Sequence, residues 1–145
     1  MSALNSAGVD VIARSSDWHS PAWPDPADPP YINAAARIET DLAPRQLLDL
    51  MHRIETDFGR SRAVRWASRT LDLDLIDYRG REITDPDGME IPHPRAAQRA
   101  FVLMPLQEIA ADWCEPGSGR HIADLIARLN PADLDAMRKL QSVTV

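Results

Sequence analysis

Gly59-Arg60-Ser61-Arg62-Ala63-Val64-Arg65-Trp66-Ala67-Ser68-Arg69-Thr70-Leu71-Asp72-Leu73-Asp74 runs from the end of an amphipathic segment, through a charged connection, into an alternating apolar run. Arg60, Arg62, Arg65 and Arg69 precede an Asp-x-Asp pair. Guanidinium forks suit phosphate oxygens, and paired carboxylates suit a hard divalent cation. Both partners of a metal-bound polyphosphate are therefore written in one short stretch, and nucleotide chemistry is the first hypothesis.

Working outward, Leu47, Leu48, Met51, Ile54 and Phe58 make one apolar stripe from Pro44 to Phe58. That spacing predicts a helix, with Pro44 in its first turn and Gly59 as its stop. Downstream, Leu71 to Tyr78 reads as a strand with Leu71, Leu73 and Leu75 on one face. Arg79-Gly80 predicts a turn into a second strand over Arg81 to Thr84, and Asp85-Pro86-Asp87-Gly88 predicts another turn. Short helices are expected near Arg95 to Phe101, over Pro105 to Asp112 and over His121 to Leu129. Asn130 and Pro131 then open a last one, with Leu134, Met137 and Leu140 as its stripe.

On the other side, Ala3 to Ala7 followed by Gly8 reads as the end of a helix, and Val9 to Trp18 as a strand. Pro21 to Pro30 holds five of the twelve prolines and must be irregular, as a linker or a binding lid. Tyr31 to Leu42 permits either helix or strand.

The 145 residues suit one domain. A net charge of −6 argues against nucleic acid or an anionic membrane as partner, and makes the arginine run a local positive site. One cysteine, Cys114, suggests a reducing compartment, and no histidine or cysteine spacing suits zinc. The start shows no basic segment followed by an apolar one, and no apolar run approaches the ~20 residues of a membrane span. A cytoplasmic protein is expected.

Asp72 and Asp74 would project from one face of a strand, where two carboxylates can bridge metal ions; a solvated acidic face is the plainer alternative. Trp66 could stack on a base or plug the core. His93, between Pro92 and Pro94, could contact phosphate or simply bond a loop carbonyl. Arg99 could add a phosphate contact beside Phe101, or end a helix next to a core ring.

Taken in order, Arg65-Trp66-Ala67-Ser68-Arg69-Thr70-Leu71-Asp72-Leu73-Asp74, Ile91-Pro92-His93-Pro94-Arg95 and Arg99-Ala100-Phe101-Val102-Leu103-Met104-Pro105-Leu106 resemble the 6-hydroxymethyl-7,8-dihydropterin pyrophosphokinases of folate biosynthesis. Ser15-Ser16, Ser20-Pro21 and Tyr31-Ile32-Asn33-Ala34 match the same family upstream. The resemblance covers about Ala3 to Leu129.

It implies an α+β, ferredoxin-like fold with an antiparallel sheet, in which Tyr31 to Thr40 is a strand. It implies ATP as co-substrate and two magnesium ions held by Asp72 and Asp74. Arg62, Arg69, His93 and Arg99 would meet the phosphates or organise the loop over them, and Trp66 would lie on that loop. Glu55 would help hold the nucleotide. The pterin would sit between Tyr31 and Phe101, with Ser20 and Asn33 reading its polar edge. Asp72, Asp74, Arg62 and Arg69 are thus the expected catalytic set, and a monomer is expected.

The family pattern begins with a strand, a Gly-Ser-Asn turn and a full helix, which this sequence does not show. The expectation is an N-terminally incomplete pyrophosphokinase domain over residues 1–130, lacking the usual first strand, followed by a helix and tail over 131–145. The alternative is a truncated, non-catalytic remnant that binds nucleotide or pterin weakly or not at all. His52 stands where a glutamine commonly meets the nucleotide, and Ala67-Ser68 replaces a usual Gly-Pro.

Overall fold

The computed structural model describes residues 8–21, 27, 31–62 and 71–140, with the backbone alone described over 60–62. Strands β1 (Asp10–Arg14), β2 (Trp18–Ser20), β3 (Tyr31–Asn33) and β4 (Ala36–Glu39) come first, followed by helix α1 (Pro44–Arg62). Then come β5 (Ile83–Thr84), β6 (Glu90–Ile91), a 3-10 turn (Ala96–Gln98), and helices α2 (Ala100–Ile109), α3 (Ile122–Ala127) and α4 (Pro131–Ala136). Strand β7 (Arg138–Lys139) follows α4. This is a mixed α/β architecture with antiparallel pairing in every described ladder.

The first four strands are two arms of one long hairpin. Asp10 pairs with Glu39 and Val11 with Ile38, but Ala13 pairs with Arg37, so Ile12 is an extra residue on the first arm. Ile12 is accordingly half exposed. Farther along, Trp18 faces Asn33 and Ser20 faces Tyr31, with Ser15 bonded to Ala35 between the two ladders. The expected single strand over Val9 to Trp18 is split into β1 and β2 by residues 15–17, where only the Ser15–Ala35 bond carries across. Tyr31 to Thr40 is extended, as the resemblance implied, and the helical reading of Ala34 to Ala36 fails.

Helix α1 covers the main core. Leu47, Leu50 and Met51 are buried with Val9, Tyr78 and Ile91, and Leu73, Leu75, Ile38 and Ile83 pack around them. The Gln46 side chain accepts the Ala43 N–H at 2.9 Å, satisfying one donor at the helix start. The helix runs through Gly59 to Arg62, which corrects the expected stop. A glycine inside a helix costs only about 1 kcal/mol relative to alanine, and Gly59 does not adopt the positive φ of a stop. A second core joins Leu103 of α2 to Ile122 and Leu125 of α3.

Four further readings are corrected. Residues 71–77 join no described ladder; only Tyr78 bridges, to Arg81, across a turn with positive φ at Arg79 and Gly80. The second strand of that region, β5, pairs with β6 and not with 71–78. Alternation sets which side chains are buried but does not supply a neighbouring strand. Pro105 lies inside α2 and does not begin a helix, so the expected helices near Arg95 to Phe101 and Pro105 to Asp112 become a 3-10 turn and one continuous α2. Finally, α4 ends at Ala136, and Met137 turns extended (φ −74°, ψ 138°) into β7. There, Lys139 and Arg138 pair with Trp18 and His19, covering the edge of β2.

The expected helix end over Ala3 to Ala7 lies outside the described residues, as does most of the proline-rich segment and the tail after Leu140. Among the described residues, no helix is long and apolar enough to cross a membrane.

Candidate active site

Burial over the Asp-x-Asp segment alternates as the sequence predicts. Leu71, Leu73 and Leu75 are half-buried, while Asp72 and Asp74 are exposed on the other side. The absent ladder is replaced by a side-chain anchor: Glu55 Oε2 accepts the Leu73 N–H at 2.8 Å. Helix α1 thus holds the backbone between the two carboxylates. Neither Asp72 nor Asp74 forms an ion pair with a described cation. Two exposed, cation-free carboxylates fit a hard divalent ion, which takes oxygen ligands and keeps waters and phosphate oxygens in its remaining positions. Among the described residues, no group of three or more His, Cys, Asp or Glu side chains gathers as a metal cage.

The second group lies on the β2–β3 hairpin. Asn33 Nδ2 donates to Ser20 Oγ at 2.9 Å, and Tyr31 stands directly across from Ser20. Directly opposed residues in an antiparallel pair share a face, and so do residues two apart along a strand. Trp18, Ser20, Tyr31 and Asn33 therefore occupy one side of the sheet. Ser20 is buried, Tyr31 exposed, and Phe101 at the start of α2 is also exposed. Two exposed rings beside a paired hydroxyl and amide suit a flat, polar-edged ligand.

His93 and Arg99 lie on the connection from β6 to α2. His93 Nδ1 accepts the Arg95 N–H at 3.1 Å, so the neutral imidazole carries its proton on Nε2. That leaves Nε2–H as a donor toward an anion. The Ile91–Pro92 peptide just before it is cis. The half-buried Arg99 guanidinium lies 5.6 Å from the Phe101 ring centroid, a cation–π arrangement that orients the fork at the mouth of α2. Arg99 and Phe101, assigned by the sequence to different ligands, are thus neighbours.

Arg60 and Arg62 belong to the last turn of α1 and not to a loop, which corrects the expected loop placement; their side chains are not described. Arg65, Trp66 and Arg69 lie outside the described residues. His52 is exposed on α1. Sequence reasoning missed the Glu55–Leu73 anchor, which joins positions 18 apart, and the role of Glu108, whose carboxylate accepts Ser16 N–H at 2.6 Å and the Trp18 indole N–H at 3.2 Å. A lone glutamate on a helix carries no periodic or spacing signal that could reveal either contact.

Fold and site together define an α/β domain that presents an exposed carboxylate pair on one segment and a polar face of Ser20, Tyr31 and Asn33 on the β2–β3 hairpin. Comparison with known proteins makes this specific. The family model described as 7,8-dihydro-6-hydroxymethylpterin-pyrophosphokinase (HPPK) matches residues 1–111. A 2-amino-4-hydroxy-6-hydroxymethyldihydropteridine pyrophosphokinase of Synechocystis is 43% identical over 124 residues, 86% of this chain and 63% of that protein. Proteins of the same name from Methylorubrum extorquens and Haemophilus influenzae are 38% and 44% identical, over 88% and 77% of this chain. The chain spans 79% and 69% of those two proteins. It belongs to the 7,8-dihydro-6-hydroxymethylpterin-pyrophosphokinase family, and its antiparallel α+β architecture agrees with that family's ferredoxin-like fold.

Proposed function

We propose that this chain transfers pyrophosphate from ATP to 6-hydroxymethyl-7,8-dihydropterin, giving AMP and the pterin diphosphate. One observation carries the reading: within a segment matched by the family model, Asp72 and Asp74 stand exposed on one side while Glu55 pins the backbone between them. The pterin hydroxyl attacks the β-phosphorus in line. The bond from that phosphorus to the bridging oxygen of the α-phosphate breaks, AMP leaves with that oxygen and its electron pair, and the hydroxyl proton passes to solvent.

In this reading Asp72 and Asp74 would hold two magnesium ions, which would supply positive charge against the polyphosphate. His93 Nε2–H and the Arg99 fork donate to phosphate oxygens from beside α2, Arg62 adds charge from the last turn of α1, and Arg69 adds charge from the sequence that follows it. Trp66 covers the nucleotide, and Glu55 supports it by holding the Asp72–Asp74 backbone. Tyr31 and Phe101 sandwich the pterin ring, while Ser20 and Asn33 meet its polar edge. Positioning and charge stabilisation carry such transfers, so no covalent nucleophile is needed. The protein works as a cytoplasmic monomer with two small-molecule partners, ATP and the pterin, and needs neither nucleic acid nor membrane. With the carboxylate pair and the Ser20–Asn33 pair both in place, the non-catalytic remnant is the less favoured reading.

The test is AMP release in the presence of ATP, magnesium and the hydroxymethyl pterin. Release that requires all three, and falls at least about a hundredfold in Asp72→Asn or Asp74→Asn, is the expected result. Absence of release from the unsubstituted chain, or full activity in either variant, overturns the reading.

A further inference from the structure

Helix α2 carries Phe101 in its first turn and Glu108 in its last. Seven residues apart, about two turns, they lie on one stripe of the helix. Glu108 closes that stripe onto the sheet. Its Oε2 accepts the Ser16 backbone N–H at 2.6 Å and the Ser16 hydroxyl at 3.0 Å, and its Oε1 accepts the Trp18 indole N–H at 3.2 Å. Lys139 Nζ reaches the same Oε1 at 3.5 Å and lies 6.0 Å from the Trp18 ring centroid. Lys139 belongs to β7, which follows the residues matched by the family model.

Across the three strands the register forms one row. Lys139 of β7 faces Trp18 of β2, and Trp18 faces Asn33 of β3. One strand step beyond Trp18, Ser20 accepts the Asn33 amide. The Leu140 N–H donates to Asp17 O at 2.8 Å and fixes the end of β7 on the same edge. One carboxylate therefore ties the helix bearing Phe101 to the strand bearing Ser20 and, through the row, to Asn33.

Resting on the function proposed above, we infer that Glu108 is a positioning residue for the pterin side of the site, with Lys139 of β7 as its support. Glu108 does not touch the ligand. It sets the register of α2 against β2, and so the separation between the Phe101 ring and the Tyr31, Ser20 and Asn33 side chains. Several charge-assisted hydrogen bonds converge on this one group, and such bonds are stronger and more directional than neutral ones. The group of contacts is local to the pterin end; Asp72 and Asp74 hang from α1, a different helix.

The experiment compares Glu108→Gln, Lys139→Met and Leu125→Ala with the unsubstituted chain. Leu125, buried in the α2–α3 core, controls for general destabilisation. Glu108→Gln is expected to raise the pterin KM about tenfold while the ATP KM stays within about twofold, and Lys139→Met to raise the pterin KM less in the same direction. Leu125→Ala is expected to change neither selectively. Amide hydrogen exchange adds a readout free of turnover: Glu108→Gln should speed exchange across Trp18–Ser20 and Tyr31–Asn33 more than across α1. An equal rise in both KM values, a matching pterin effect in Leu125→Ala, or unchanged exchange across β2 and β3 overturns the inference. If the unsubstituted chain releases no AMP, the functional reading fails by itself, and the exchange pattern still decides whether Glu108 governs the β2–β3 face.

Discussion

Glu55 Oε2 accepts the Leu73 N–H at 2.8 Å, so a helix carboxylate holds the residue that separates Asp72 from Asp74. No described strand pairs with residues 71–77, and this bond does part of the work a ladder would otherwise do. Replacing Glu55 by alanine leaves the N–H of a half-buried segment without its acceptor. The expected cost is about 1–2 kcal/mol in stability. Turnover should fall by about tenfold or more, since small misplacements of reacting groups are costly. The magnesium concentration needed for half-maximal rate should rise as well. Denaturant titration and a magnesium series check the two effects separately; unchanged magnesium dependence would show that the anchor does not orient the Asp pair.

The Ser20–Asn33 contact yields a prediction for the pterin side of the proposed site. Ser20→Ala removes the acceptor of Asn33 Nδ2, freeing the amide to rotate. The loss of one neutral hydrogen bond and of amide orientation is worth about 1 to 1.5 kcal/mol. Steady-state kinetics should show the pterin KM raised about five- to tenfold with the ATP KM little changed. A selective ATP effect would remove the pair from the pterin side of the proposed site.

Parts of this were legible in the sequence because they are local. The alternation of Leu71, Leu73 and Leu75 against Asp72 and Asp74 sets burial directly, and the segment behaves that way with no described strand paired to it. Asp85-Pro86-Asp87-Gly88 encodes its own turn through the Asp85 side chain, which accepts the Asp87 and Met89 N–H groups. The helical stripe of Leu134, Met137 and Leu140 misled because periodicity cannot register an open strand edge more than a hundred residues away. Pairing of Lys139 with Trp18 ends that helix early. Gly59 and Pro105 misled for another reason: glycine costs a helix only about 1 kcal/mol, and the larger proline penalty of about 3 kcal/mol is met in α2 by burial of Leu103 and Pro105. The anchors at Glu55 and Glu108 are long-range side-chain contacts and left no trace in spacing.

Asp85 supplies a pH prediction. The Met89 N–H holds its carboxyl below the ordinary aspartate range, against the opposing effect of desolvation, and Arg45 at 2.5 Å and the Asp87 N–H add to the lowering. The carboxylate is favoured in the folded state, so its contribution is present above the ordinary aspartate pKa. It is lost as pH falls through the depressed folded value. Asp85→Asn should therefore lower the melting temperature near neutral pH and flatten its decline on acidification. Melting curves from neutral to strongly acidic pH check this; parallel curves for the two proteins would remove Asp85 from the acid response.

Gly117 tests packing at the far side of the domain. Its φ of +96° lies where a side chain is strained, and an added Cβ would fall 1.5 Å from Glu82 Oε1. Gly117→Ala therefore meets two separable penalties. The backbone one is about 1–2 kcal/mol and stays whatever the neighbour does. The steric one falls on the end of a flexible glutamate and is relieved when that side chain moves. Glu82→Ala in the Gly117→Ala background should recover only the steric part. A double-mutant cycle by denaturant unfolding is expected to show a coupling energy smaller than the Gly117→Ala loss itself. Full recovery in the double variant would mean that the turn tolerates alanine at this φ and that Glu82 alone sets the requirement for glycine.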